Sequence, residues 1–200
     1  MYSRVESQIG RICADPESTC RGLDQAIYLG KDVIEMGFFD KLFSKGAKVN
    51  NNAIYAPVAG KAVPITEVPD PTFAEGMLGN GIAIIPEDGK ICAPCNAKVD
   101  MMFVTGHAVS LVADNGAEIL IHVGLETVGL EGKPFKIYAK NGDTVKKGDL
   151  LMEVDLEMVK AAGLNTITPV LVCNSDDFST FNTTVNQAVT NDDVVIALKK

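Results

Sequence analysis

The chain is expected to fold as an all-β protein, an antiparallel sandwich or barrel-like structure with little helix. Two observations predict this. From Ala53 onward short runs rich in Val and Ile recur, and clusters of turn-forming residues separate them. Several short strands with regular turn signals are the mark of a sandwich or barrel. The chain has 200 residues, 46% of them hydrophobic and 22% charged, which is enough to bury a sizeable core without covalent staples.

The runs fall at 62–65, 81–85, 98–104, 108–112, 119–123, 135–139, 150–154, 168–173 and 194–198. Between them stand Pro69-Asp70-Pro71, Glu87-Asp88-Gly89, Asp114-Asn115-Gly116 and Asn141-Gly142-Asp143. Gly and Asn supply left-handed turn conformations, and Pro presets a bend. One helix is expected at 156–162, ended by Gly163. Ala56-Pro57-Val58-Ala59-Gly60 is echoed by Ala93-Pro94-Cys95-Asn96-Ala97, each just before an apolar run. The echo marks two corners of one sandwich, or it is coincidence.

Ahead of the strands the chain reads differently. Residues 1–35 form an extension with Arg4, Arg11, Arg21, Cys13 and Cys20, and a short helix is expected at 23–34. A new start is expected at Met36. Phe38, Phe39, Leu42 and Phe43 share one helix face, and the polar stretch 44–52 reads as a linker. That helix suits either weak peripheral membrane contact or a tail lying on the sandwich. The expected organisation is therefore an extension (1–35), a helix and linker (36–52), and one β domain (53–200).

Charge and cysteine usage exclude several classes. Eighteen basic residues against twenty-six acidic ones leave a net charge of −8 with no basic run, a poor basis for nucleic-acid binding. No apolar run approaches the roughly 18–20 residues of a membrane span, and no secretory signal is evident. Five irregularly spaced cysteines read as reduced thiols, which places the protein in the cytoplasm.

Only two histidines, His107 and His122, are present, so any imidazole chemistry must use them. Asn115-Gly116 between two apolar runs predicts a two-residue hairpin loop. Pairing Asp114 with Ala117 then sets His122 opposite Val109 and puts His107 on the same face, about 7–8 Å away on the diagonal. A one-residue slip would separate the two rings. A satisfied core or surface role and a functional pair both fit this pattern. Two histidines leave a metal site one ligand short unless a carboxylate or a partner supplies it. They suffice for nucleophilic chemistry on phosphorus, one ring attacking and the other orienting it or stabilising phosphoryl oxygens. Thr105 offers a hydroxyl on the His107 face and Glu126 a carboxylate near His122. Phe103, Leu120, Phe73 and Leu78 could supply an apolar rim.

Thr105-Gly106-His107-Ala108 and Ile119-Leu120-Ile121-His122-Val123-Gly124-Leu125-Glu126-Thr127-Val128 resemble the two active-site segments of the glucose-type enzyme IIA of the bacterial phosphoenolpyruvate-dependent sugar phosphotransferase system. Other stretches agree: 36–43, Ala56-Pro57-Val58-Ala59-Gly60, Val68-Pro69-Asp70 with Phe73-Ala74-Glu75, and Gly79-Asn80-Gly81-Ile82-Ala83-Ile84. So do Gly142-Asp143-Thr144-Val145-Lys146-Lys147-Gly148-Asp149 and Thr168-Pro169-Val170. The motifs occur in order over about 36–200. The resemblance implies an antiparallel β-sandwich like the duplicated hybrid motif. It implies that a phosphoryl group comes from the phosphocarrier protein HPr and passes to a cysteine of a sugar permease's IIB domain during sugar uptake. His122 matches the histidine phosphorylated on Nε2, His107 the supporting histidine, and Thr105 the hydroxyl bonded to the imidazole network. Asp70 and Glu126 match acidic residues at the rim. Glu126 stands where the family often has Asp, and Leu120 where an aromatic is common. No cofactor is required. The resemblance also implies possible regulatory partners, with a Zn²⁺ shared between His107, His122 and a partner's carboxylate in one such complex.

Two readings from other classes remain beside it. The run 141–151 is similar to loops of biotinyl and lipoyl carrier domains, but the hairpin turn carries no Lys to modify. A non-catalytic regulatory binding module would leave the paired histidines unused. Cys92-Ala93-Pro94-Cys95 lacks a second CxxC and reads as structural.

Overall fold

A computed structural model describes residues 50–200. The expectations for 1–35 and for the helix at 38–43 lie outside the described residues. Among the described residues fourteen strands form three antiparallel sheets. In chain order they are β1 (Ala53–Tyr55), β2 (Gly60–Pro64), β3 (Asn80–Pro86), β4 (Lys90–Cys92), β5 (Ala97–Met102), β6 (Ala108–Ala113), β7 (Glu118–His122), β8 (Phe135–Ile137), β9 (Thr144–Val145), β10 (Leu150–Val154), β11 (Thr168–Val172), β12 (Thr180–Thr183), β13 (Gln187–Val189) and β14 (Val194–Lys199). Two short helices interrupt them, α1 (Pro71–Ala74) and α2 (Leu156–Ala161). All nine expected runs are strands, and α2 ends before Gly163 as expected. Among the described residues no helix is long and apolar enough to cross a membrane.

The eight-stranded sheet has the order β13-β2-β3-β11-β7-β6-β5-β9 and is open at both edges. Two three-stranded sheets, β1-β14-β12 and β4-β10-β8, accompany it among the described residues. The main core takes Ile82, Ile84, Leu111, Ile119 and Ile121 from the large sheet, and Ile54, Ile91, Leu151, Met152 and Ile196 from the small ones. The central strands are not alternating, because their other face is covered too. Ala83, Leu125 and Leu171 join Val63, Val68, Phe73 and Ile167 in a second apolar cluster on the outer side. Each fully buried Ile or Leu side chain contributes roughly 1.5–3 kcal/mol of transfer free energy.

Matched pairing registers on the two sides of the β11–β7 pair point to an internal pseudo-twofold axis in the large sheet. It relates β2 to β5, β3 to β6 and β11 to β7. The echoed Ala-Pro segments meet across it: Tyr55 N–H donates to Pro94 O at 2.9 Å, and Cys92 N–H donates to Pro57 O at 2.8 Å. Each segment is held by an equivalent turn, Ala56 N–H donating to Asp193 O and Ala93 N–H to Asp149 O. The echo is therefore a structural repeat of two corners. Matching ladders place Asn80 at the position of His107 and Leu171 at that of His122. Gly79 and Gly106, both with positive φ, also correspond.

Candidate active site

The hairpin that carries the histidines corrects one expectation. Its loop has three residues, Asp114 to Gly116, closed by Ala113 N–H donating to Ala117 O at 2.9 Å. Gly116 takes φ 83°, the left-handed position that closes such loops. The pairing is therefore shifted by one residue from that expected: Ala108 faces His122, and Val109 faces Ile121. That slip should have parted the rings, yet their centroids lie 5.3 Å apart. The reason is that His107 is not in the strand. It follows Gly106 in a bend and precedes β6, so strict alternation no longer sets its direction. One bond, Val123 N–H donating to His107 O at 2.7 Å, ties the bend to the end of β7.

Both rings lie on the outer face of the large sheet, beside the second apolar cluster. Small Ala108 opposite His122 leaves room for them. They line a depression of about 320 Å³ together with all six rim residues named from sequence: Asp70, Phe73, Leu78, Phe103, Leu120 and Glu126. Thr72, Ala108 and Val128 also line it and were not foreseen. Phe73 packs on His122 at 5.1 Å between centroids, and Phe103 on His107 at 5.0 Å. Phe73 is held there by α1. Asp70 caps this helix by accepting from Thr72 N–H at 2.8 Å, with Pro71 at its first position. Asp70 and Pro71, expected in a turn, instead start this helix, because an Asp cap followed by Pro suits both.

The hydrogen bonds define the chemistry. His122 Nδ1 lies 2.7 Å from Gly124 O. A carbonyl only accepts, so Nδ1 carries the proton, and the neutral ring leaves a lone pair on Nε2. Thr105 Oγ1 lies 2.5 Å from His107 Nδ1. Burial lowers the pKa of His122, opposed by its Gly124 bond and by the Asp70 and Glu126 carboxylates. Burial also lowers that of His107, with His122 adding to the effect. Both shifts favour the neutral ring, the state a nucleophile needs.

The surround is apolar and open. Leu78, Val128 and Met77 are exposed, and Val104 is 96% exposed. A larger depression of about 410 Å³ near Lys90, Lys136 and Glu153 contains no imidazole or thiol. The CxxC is no thiolate site: Cys95 is 4% exposed, and burial with Asp114 nearby pushes its thiol up to about 12. Among the described residues no group of three or more His, Cys, Asp or Glu could hold a metal.

The family model described as "phosphoenolpyruvate-dependent sugar phosphotransferase system, EIIA 1" matches residues 52–178. A glucose-specific EIIA component of the phosphotransferase system from Bacillus cereus is 45% identical over 152 residues, covering 76% of this chain and 92% of that protein. Its counterpart from Halalkalibacterium halodurans is 46% identical over 150 residues, covering 72% and 87%. The solved glucose permease IIA from Mycoplasma capricolum superposes with a TM-score of 0.67 at 33% identity, covering 72% of this chain and 93% of that one. The regulatory alternative finds no support in these relatives. The chain belongs to the EIIA 1 family of the phosphoenolpyruvate-dependent sugar phosphotransferase system, the components that take a phosphoryl group from HPr and pass it to a IIB component.

Proposed function

We propose that His122 is the residue that carries the phosphoryl group, on Nε2. The observation that carries this reading is the 2.7 Å contact of His122 Nδ1 with Gly124 O, which leaves Nε2 as the free nucleophile at the edge of the depression. The Nε2 lone pair attacks phosphorus, and the bond from phosphorus to the donor's histidine nitrogen breaks, its electron pair returning to the donor. In the second step a cysteine thiolate of the IIB domain attacks phosphorus, and the P–Nε2 bond breaks, restoring neutral His122. Catalysis is mostly positioning for in-line displacement.

His107 supports both steps. With the Thr105 hydroxyl donating to Nδ1, His107 presents Nε2–H to the phosphoryl oxygens. Leu78, Phe103, Leu120 and Val128 form an apolar collar suited to protein partners, and Asp70 and Glu126 give it an acidic margin. The proposed partners are HPr and a glucose-type IIB domain, in the cytoplasm, and the carrier domain spans 53–200. No cofactor takes part. A Zn²⁺ could use the two imidazoles only if a partner supplied the remaining ligands, and it would then block transfer.

The test is incubation with phosphoenolpyruvate, enzyme I and HPr, read by intact mass. One acid-labile phosphoryl group is expected on the wild type and on His107→Ala, and none on His122→Ala. Full labelling of His122→Ala would reject the assignment.

A further inference from the structure

The proton on His122 Nδ1 is held by one backbone carbonyl, so the aim of that carbonyl decides which nitrogen is free. Two ties fix it. Leu125 N–H donates to Asn165 O at 2.8 Å. A trans peptide is planar, with its N–H and C=O on opposite sides, so this bond turns the Gly124 carbonyl the other way, toward His122. On the preceding peptide, the Thr127 hydroxyl donates to Val123 O at 2.7 Å. Thr127 is fully buried, and its methyl Cγ2 would lie 2.6 Å from any Cβ added at Gly124. Gly124 itself takes φ 73°, which the two ties on either side hold in place.

The pseudo-twofold axis supplies an independent comparison. The positions matching Gly124 and Thr127 in the other half are Cys173 and Asp176, both exposed. The same strand pair is thus built there without this tie. A buried threonine hydroxyl holding the peptide just after the strand stands beside His122 and is replaced at the matching position by exposed Asp176, although buried Thr168 elsewhere in that half donates to Thr166 O at 3.1 Å.

We infer that Thr127 is a positioning residue: by holding the Val123–Gly124 peptide it keeps the proton of His122 on Nδ1 and so keeps Nε2 free. The inference rests on the proposed role of His122 only for its kinetic consequence. The tautomer itself is measurable without any transfer.

The experiment is two-bond proton–nitrogen correlation NMR of ¹⁵N-labelled protein at pH 8, where both rings are neutral. With two histidines the spectrum holds four ring nitrogens, assigned with His107→Ala. The wild type is expected to show a protonated Nδ1 and a bare Nε2 on His122. Thr127→Val keeps the shape and loses the donor. It is expected to convert at least a quarter of His122 to the Nε2–H form and to slow phosphoryl transfer about tenfold. Thr127→Ser, which keeps the hydroxyl, should match the wild-type tautomer and stay within about threefold in rate. If the valine variant fails to fold, Thr127→Ala against Thr127→Ser gives the same comparison. An unchanged His122 tautomer in the hydroxyl-free variant would overturn the inference. A shifted tautomer in a protein whose wild type transfers no phosphoryl group would uphold it and reject the carrier role of His122 instead.

Discussion

The two pseudo-symmetric halves build one strand pair in two ways. In the β3–β11 half the ladder runs to its last residues, Val172 facing Asn80, and Leu171 is fully buried under Phe73 and Leu125. Asn80 spends its side chain on Ser175 at 3.0 Å. In the β6–β7 half the ladder stops one pair earlier, at Ala108 and His122. His107 leaves the strand, Gly124 turns back, and two rings stand at the surface instead of an apolar plug. Regular pairing and burial have been given up in one half only. That half holds the groups able to do chemistry, as expected where local structure serves a site rather than the fold.

The largest predicted contrast comes from truncating equivalent positions. His122→Ala should reduce phosphoryl transfer by at least about a thousandfold, while unfolding in urea shifts by no more than about 1 kcal/mol. Leu171→Ala should do the reverse, costing roughly 2–5 kcal/mol through the cavity it leaves. If both truncations cost similar stability, the distinction between the halves fails. Next in size is the turn after each strand. Gly124→Ala forces a side chain into a left-handed residue and against Asn165 O at 2.9 Å, so a loss of about 1–3 kcal/mol is expected. Exposed Cys173→Ala, at the matching position, should stay within about 0.5 kcal/mol.

A third difference is in pH response. Both histidine pKa values are lowered in the folded state, so the unfolded chain binds more protons near pH 6. Their contribution to stability is complete above the unfolded value of about 6.5 and is lost as pH falls below it. The double variant His107→Gln/His122→Gln should show a flatter stability profile across this window by chemical denaturation. An identical slope would mean that the rings are not desolvated. The smallest effect concerns Asp70, whose carboxylate holds the His122 pKa up. Asp70→Asn keeps the helix cap and should lower that pKa further by NMR titration.

Much of this was legible in the amino acids, for identifiable reasons. Long apolar runs such as 81–85 and 168–173 became strands because only a doubly covered sheet can bury them. The strands named only in the structure are short or polar: Thr144–Val145 has two residues, and Thr180–Thr183 alternates no apolar face. They exist because a neighbour supplies their partners, which local pattern does not encode. The candidate site residues could be named from sequence because imidazoles are scarce here and their neighbours form motifs. The register was not legible, because Asn-Gly serves both two- and three-residue loops, and the choice depends on Gly116 taking the left-handed position. The roles of Thr127 and Asn165 were not legible for another reason: each depends on a backbone hydrogen bond that only the fold brings together, although Thr127 lies within the recognised motif.

The central claim is that the histidine half leaves one nitrogen, Nε2 of His122, free to take phosphorus. The most direct measurement is nitrogen NMR of the ¹⁵N-labelled protein after phosphorylation by phosphoenolpyruvate, enzyme I and HPr. A phosphorus coupling on His122 Nε2, with both His107 nitrogens uncoupled, is the predicted result. A coupling on His122 Nδ1 or on either nitrogen of His107 would contradict it.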